Sequence, residues 1–178
     1  MIRSDLGLLV MLGYLEAKPK VGYYPGKTVR KEAAAMQQWI RRPVKEVMGR
    51  PVALRETATV GDAVAALFLE NVGSLIVTDE SGALAGIVSR KDLLKVTIGN
   101  SQAHTVPLGM VMTRYPNLAT VGPEDTVLDA MRKMVAHDVD GLPVVVKDED
   151  GRQRAEAVGR ITKTTILKLL YEAASDDE

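Results

Sequence analysis

Two short stretches, "GIVSRKD" ending at Asp92 and "GRITKTT" ending at Thr165, hold the chain's strongest candidates for chemistry. In the first, Ser89 closes a strand-like run and Asp92 falls in the first turn of the helix-like run that follows. A carboxylate at that place can cap the helix, or it can accept hydrogen bonds from a ligand's hydroxyls. Ser89 and the helix N-terminus would then face an anion, with Arg90 and Lys91 supplying positive charge. For an isolated Ser-x-x-Asp the cap is the simpler reading. In the second stretch Thr165 stands where the carboxylate would be. Hydrogen bonds to charged groups contribute about 1.5–3 kcal/mol against about 1 for neutral ones, so a ligand held there is held more weakly or is different. Nearby Arg160, Lys163 and Arg114 make this second place cationic.

No catalytic constellation accompanies them. The two histidines, His104 and His137, lie in different segments without metal-ligand spacing to carboxylates. There is no Gly-x-x-x-x-Gly-Lys-Ser loop and no Gly-x-Ser-x-Gly elbow. The chain reads as no enzyme, and no metal is required.

The two stretches belong to an internal repeat. Met48 corresponds to Met112, Asp62-Ala63 to Asp129-Ala130 and Gly86 to Gly159, the growing offset placing insertions before a helix and in the "KDEDGRQRAEA" turn. Each copy reads as strand, helix, strand, strand, helix. In the first, Val52 to Leu54 is extended, Thr59 caps a helix over 60–70, Ser74 to Val77 is a buried strand, Asp79 to Gly82 turns the chain into a strand over 84–89, and a helix covers 90–98. In the second, Thr126 or Asp125 caps a helix over 127–136, Leu142 to Val146 is buried, and Asp148 to Gly151 is the turn. A single unit of this size is marginal alone, so the reading is one pseudo-twofold α+β (α/β) module with its two sheets packed together.

Composition sets the frame. The 178 residues are 46% hydrophobic and include no cysteine, which excludes a disulfide framework and a thiolate site and suits a reducing, cytoplasmic setting. No apolar run reaches a membrane span, and no membrane partner is expected. The net charge of zero hides an asymmetry: residues 1–50 hold ten Lys or Arg against four Asp or Glu. A basic head on an acidic body suits a polyanion at the head.

The motifs "DGLPVVV" with "VGRITKTT", and "GSLIVTD" with "GIVSRKD", resemble cystathionine-β-synthase (CBS) motifs, and the pair resembles a Bateman module over roughly residues 43–173. The resemblance implies adenine nucleotides (ATP, ADP, AMP or a dinucleoside polyphosphate) in clefts between the repeats. It assigns Ser89, Arg90 and Asp92 to one cleft with Asn117, Leu118, Ala119, Val139 and Asp140, the apolar Leu118 and Val139 flanking the purine. The second cleft would take Val52, Gly73, Arg114, Arg160, Thr162, Lys163 and Thr165.

At the N-terminus, "RSDLGLLVMLGYLEAKPKVGYY" resembles the end of a winged-helix DNA-binding domain: the tail of a recognition helix over 3–12, then a basic wing over 15–24. Arg3, Lys18 and Lys20 would contact DNA. A helix–hairpin cap on the next domain fits the same residues. The helices that should come first do not precede Ile2, so the expectation is a chain cut inside the recognition helix or begun at an internal methionine. Residues 1–27 are expected as this remnant, 28–42 as a linker helix broken at Pro43, 43–106 and 107–173 as the two CBS motifs, and 174–178 as a disordered tail. Met36, Trp39 and Ile40 share a face of the linker, suited to a homodimer contact or to docking on the module.

Winged helix followed by two CBS motifs, with "GYLEAKPKVGYYPGK" and "SRKDLLKVTIG", resembles the catabolite control protein N family, which implies a repressor of gluconeogenic and central carbon genes. A regulatory CBS subunit controlling an enzyme or transporter is the other function these residues fit.

Overall fold

Apolar residues at helical spacing, each run opened by a hydroxyl residue with Asp three places on, begin three of the four helices of the paired repeats. In the computed structural model, which describes residues 2–147 and 154–175 (without the side chains of 2–5, 31–33, 174 and 175), these become capping boxes at Thr59–Asp62, Ser89–Asp92 and Thr126–Asp129. In the first repeat β3 (Ala53–Arg55) leads to α3 (Val60–Leu69), β4 (Ser74–Thr78), β5 (Leu84–Ser89) and α4 (Arg90–Thr97); ahead of them stand α1 (Ile2–Met11), β1 (Leu15–Lys18), β2 (Gly22–Pro25) and α2 (Lys27–Ile40). Next come β6 (Thr113–Arg114), α5 (Val127–His137), β7 (Gly141–Lys147), β8 (Ala155–Thr162) and α6 (Lys163–Ser175). The expected turn at Asp148 to Gly151, the side chain of Arg3 and the end of the tail lie outside the described residues.

The first repeat follows its expectation closely, with β3 parallel to β4 and β4 antiparallel to β5. The second departs from it. Asn117 to Ala119 form no strand, and the parallel pairing shrinks to one bridge between Val121 and Val144. Pro116 and Pro123 flank this stretch, and neither has an N–H to give a ladder.

The order of the chain is not the order of the core. The 3-10 turn Leu108–Met110 precedes the second repeat, yet Leu108 and Met112 are buried in the first repeat's core with Val60, Leu75, Val88 and Leu93. The matching turn Val44–Glu46 precedes the first repeat, yet Val44 is buried in the second repeat's core with Val127, Met134, Leu142 and Ile161. Each arm is fastened alike: Leu108 N donates to Ala58 O and Val44 N to Asp125 O, both at 2.8 Å. Each then lays one edge on the other repeat. Thr113 pairs with Ile87 in β5, and Gly49 pairs with Arg160 in β8.

Two glycines make room for this exchange. A Cβ on Gly86 would collide with Thr113 O and lie 2.8 Å from Met112 Sδ; one on Gly159 would collide with Met48 Sδ and lie 3.2 Å from Gly49 O. Between the repeats, Ile76 and Leu84 of the first sheet meet Val145 and Ala155 of the second, with Tyr115, Leu118 and Ala157 at the margin.

The N-terminal unit is small and sits on α2. Gly13, at φ +78°, ends α1, and β1 and β2 pair antiparallel around a turn in which Lys20 has φ +64°. Gly26 N donates to Tyr14 O at 2.8 Å, and a Cβ on Gly26 would collide with the backbone of Gly13. Arg30 bonds Glu16 at 2.6 Å across the joint. Leu8, Leu9, Leu12 and Tyr14 remain exposed.

The two glycine contacts differ in kind, which yields a test. Gly86→Ala meets a backbone carbonyl and is expected to destabilise by about 1–3 kcal/mol. Gly159→Ala mainly meets the end of a methionine and is expected to cost less. Thermal unfolding of the single and double variants checks this: Met48→Ala should relieve Gly159→Ala, whereas Met112→Ala should not relieve Gly86→Ala.

Candidate functional site

The residues expected in the first cleft are built on the start of α4. Ser89 Oγ accepts from Asp92 N at 3.3 Å, while Asp92 Oδ2 accepts from Ser89 N at 2.9 Å and from Ser89 Oγ at 2.6 Å. Asp92 is therefore a helix cap in this structure. Asp62 and Asp129 occupy the same box, and bonds from Thr59 and Thr126 hold their carboxyls below the usual range. Arg90 is also engaged: its Nε and one terminal nitrogen donate to Val72 O at 3.2 and 2.9 Å, which ties α4 to the segment between α3 and β4.

From the other repeat, Leu118 lies half-buried in the seam between the sheets, whereas Val139 packs with Ala119 against the second repeat's core. The two apolar residues expected to flank a purine thus belong to different clusters. Asn117 is exposed, its N–H bonded to Arg114 O at 3.0 Å.

At the start of α6, Thr165 N donates to Thr162 Oγ1 at 3.1 Å, and the two hydroxyls are 3.0 Å apart. This is half of the capping box made at the other three helices. Lys163 Nζ lies 2.8 Å from Asp140 Oδ1, although the two residues were expected in different clefts. That bond and the charge of Lys163 hold the Asp140 carboxyl below its ordinary range, with a weaker pull from Lys91 on α4; Asp140 in turn raises Lys163. Asp140 thus stands among cations from both repeats.

The remaining residues of the second cleft disperse. Arg114 donates to Gly109 O at 2.7 Å and lies 3.8 Å from Glu56, so its charge is already matched on the first repeat's side. Val52 packs against the first repeat's core and Gly73 is exposed, its carbonyl accepting from Arg90 N at 3.2 Å. Arg160 belongs to the bridge with Gly49. The cations expected to make this cleft strongly positive are in part already paired. The residue that sequence reasoning placed apart from its true partner is Asp140; two residues 23 positions apart carry no local spacing signal.

On the N-terminal unit, Lys18 Nζ lies 5.4 Å from the Tyr24 ring centre, and both Lys18 and Lys20 are exposed. Among the described residues there is no group of three His, Asp or Glu able to hold a metal, and no helix is long and apolar enough to cross a membrane.

Comparison with known proteins adds three findings. The CBS domain family model matches residues 44–99 and 108–172. The transcriptional repressor CcpN of Bacillus subtilis (strain 168) is 40% identical over 177 residues, spanning 99% of this chain and 81% of the repressor. Among solved structures, an acetoin utilization protein (AcuB) from Vibrio cholerae matches with a TM-score of 0.64 and 29% identity, over 77% of this chain and 98% of that one. The CBS domain pair of protein MJ0100, solved with 5-methylthioadenosine and S-adenosyl-L-methionine, matches with a TM-score of 0.62 and 26% identity, over 74% of this chain and 97% of that one.

The incomplete box at α6 gives a prediction that needs no ligand. Thr165→Asp is expected to complete it and to place a negative charge at the helix N-terminus, a change worth about 0.3–2 kcal/mol at this half-buried position. Chemical denaturation should show a raised midpoint at neutral pH. The gain should vanish below the carboxylate's folded-state pKa, because the added stability needs the charged form.

Proposed function

The chain belongs to the CBS-domain family, and from that premise we propose that it is the effector-binding part of an adenine-nucleotide-sensing transcriptional repressor. One observation carries this reading. The similarity to the repressor CcpN runs over 99% of the chain, through α1, the basic hairpin and α2 as well as both repeats. A CBS pair alone would not bring the head with it. The genes controlled would be those of gluconeogenesis and central carbon metabolism, and the exposed Lys18 and Lys20 of the hairpin, with Arg3, would meet DNA phosphates.

In this reading the Asp92 carboxylate exchanges its bonds to Ser89 for the ribose hydroxyls of ATP, ADP or AMP. Asn117 to Ala119 read the adenine edge, and Leu118 and Val139 border the base. Thr162 and Thr165 do the corresponding work in the second cleft with a neutral acceptor. A phosphate reaching Lys163 competes there with Asp140. The adenosine-derived ligands of the MJ0100 pair support the ligand class.

The reading includes a homodimer. Phe68 on α3 and its counterpart Val135 on α5 are exposed, as are Leu94 on α4 and Ile98 just after it, with their counterparts Leu167 and Tyr171 on α6. The internal symmetry therefore repeats one apolar pattern on both halves, which suits a self-complementary twofold contact.

Calorimetry with ATP, ADP and AMP tests the clefts. Asp92→Ala is expected to weaken binding by one to two orders of magnitude, about 1.5–3 kcal/mol, and Thr165→Ala by less. Equal losses, or none for Asp92→Ala, would contradict the assignment.

Light scattering tests the assembly. A dimer is expected at micromolar concentration, and a monomer for the Phe68→Glu, Leu94→Glu double variant. A monomeric parent chain would count against the dimer.

A further inference from the structure

The two repeats are closed by unequal pieces of chain. The spacing that aligns Met48 with Met112 also aligns Trp39 with Ala103. Beside the first repeat, Ala103 belongs to a 3-10 turn of three residues, Ala103–Thr105, packed on α3 and α4. Beside the second, the corresponding place is filled by the end of α2, a helix of 14 residues. Trp39 and Ile40 share a groove with Val127 and Met131 of α5 and with Ile166 and Leu170 of α6.

Backbone bonds fasten the same joint. Val127 N donates to Arg42 O at 2.9 Å, and the Arg42 guanidinium lies 4.8 Å from the Trp39 ring centre while its Nε bonds Glu46 at 3.1 Å. At its other end α2 carries the head through the Gly13–Gly26 contact and the Arg30–Glu16 pair. Head, α2 and second repeat form one continuous chain of packed contacts. The neighbours of the two candidate ligand residues differ accordingly. Ile166, next to Thr165, is buried in the second repeat's core and also lines the Trp39 groove, whereas Leu93, next to Asp92, is buried in the first repeat's core, with the short turn at Ala103 in the place of α2.

We propose that the second repeat sets the orientation of the N-terminal head through α6, so that a nucleotide at the Thr162–Thr165 end of α6 moves Trp39 more than one at the Ser89–Asp92 end of α4, which meets the second repeat only at 117–119, Val139 and Asp140. This rests on the two-cleft reading above. A helix moves as a rod, and a shift at its first turn is passed to side chains one and two turns along it. The weaker cleft would then be the principal sensor.

Trp39 is the sole tryptophan, so its emission reports the joint directly. The full chain is titrated with ATP and AMP, following Trp39 fluorescence and calorimetric heat in parallel. The expected result is a change in Trp39 emission that survives Asp92→Ala with its midpoint within twofold, and whose midpoint rises tenfold or more in Thr165→Val. Emission changes that disappear with Asp92→Ala overturn the proposal, as does second-cleft heat with silent Trp39. Heat from neither nucleotide overturns the two-cleft reading instead. The mechanical tie is then decided without ligand, by hydrogen exchange of the α2 amides. Ile166→Ala, with Ile166→Val as the milder change, should speed that exchange tenfold or more while Leu93→Ala leaves it within twofold. Equal effects of the two, or none, would overturn the tie.

Discussion

Close approach of two methionines to two glycines holds this molecule in its arrangement. Met112 lies over Gly86 and Met48 over Gly159, and each contact marks where one repeat's leading arm crosses to the other repeat. A side chain at Gly86 would push its arm from the sheet edge it completes, and one at Gly159 would do so only after the movable end of Met48 has given way. With the arm would go Leu108 or Val44, both fully buried, and burying such a side chain contributes about 1.5–3 kcal/mol. The seam through Ile76, Leu84, Val145 and Ala155 depends on that placement, because the crossing arms hold the sheets face to face.

Local features of the sequence specified most of the elements. Thr59 and Thr126, each with Asp three places on, opened helices at the expected residue, and the strands over 74–78 and 84–89 followed from their apolar runs and the Asp79 to Gly82 turn. The exchange of arms was not legible, because adjacency in sequence suggested that Val44 serves the repeat it precedes. The loss of the second repeat's first strand was hard to see for a related reason: the repeat argues for equivalence, and Pro116 and Pro123 quietly remove it.

The candidate site divides along the same line. That Ser89 meets Asp92, and Thr162 meets Thr165, follows from three-residue spacing at a helix start, and both contacts are present. Which cation faces which carboxylate across the repeats is a matter of tertiary placement. Lys163 with Asp140, Arg114 with Glu56 and Arg90 with the Val72 carbonyl could not be read from spacing. Trp39 and Ile40 were recognisable as an apolar face, but the groove of α5 and α6 that receives them was not.

The crossed arms also bear on where such a molecule comes from. In this molecule each repeat's core is closed by the leading segment of the other, so a lone copy whose own segment stayed turned away would leave its core open. Two such copies could close each other by trading arms, which makes the smallest self-sufficient unit of this repeat a pair. With both copies in one chain the trade is internal, and the two halves need not be alike: where α4 begins with Asp92 in its first turn, α6 has Thr165.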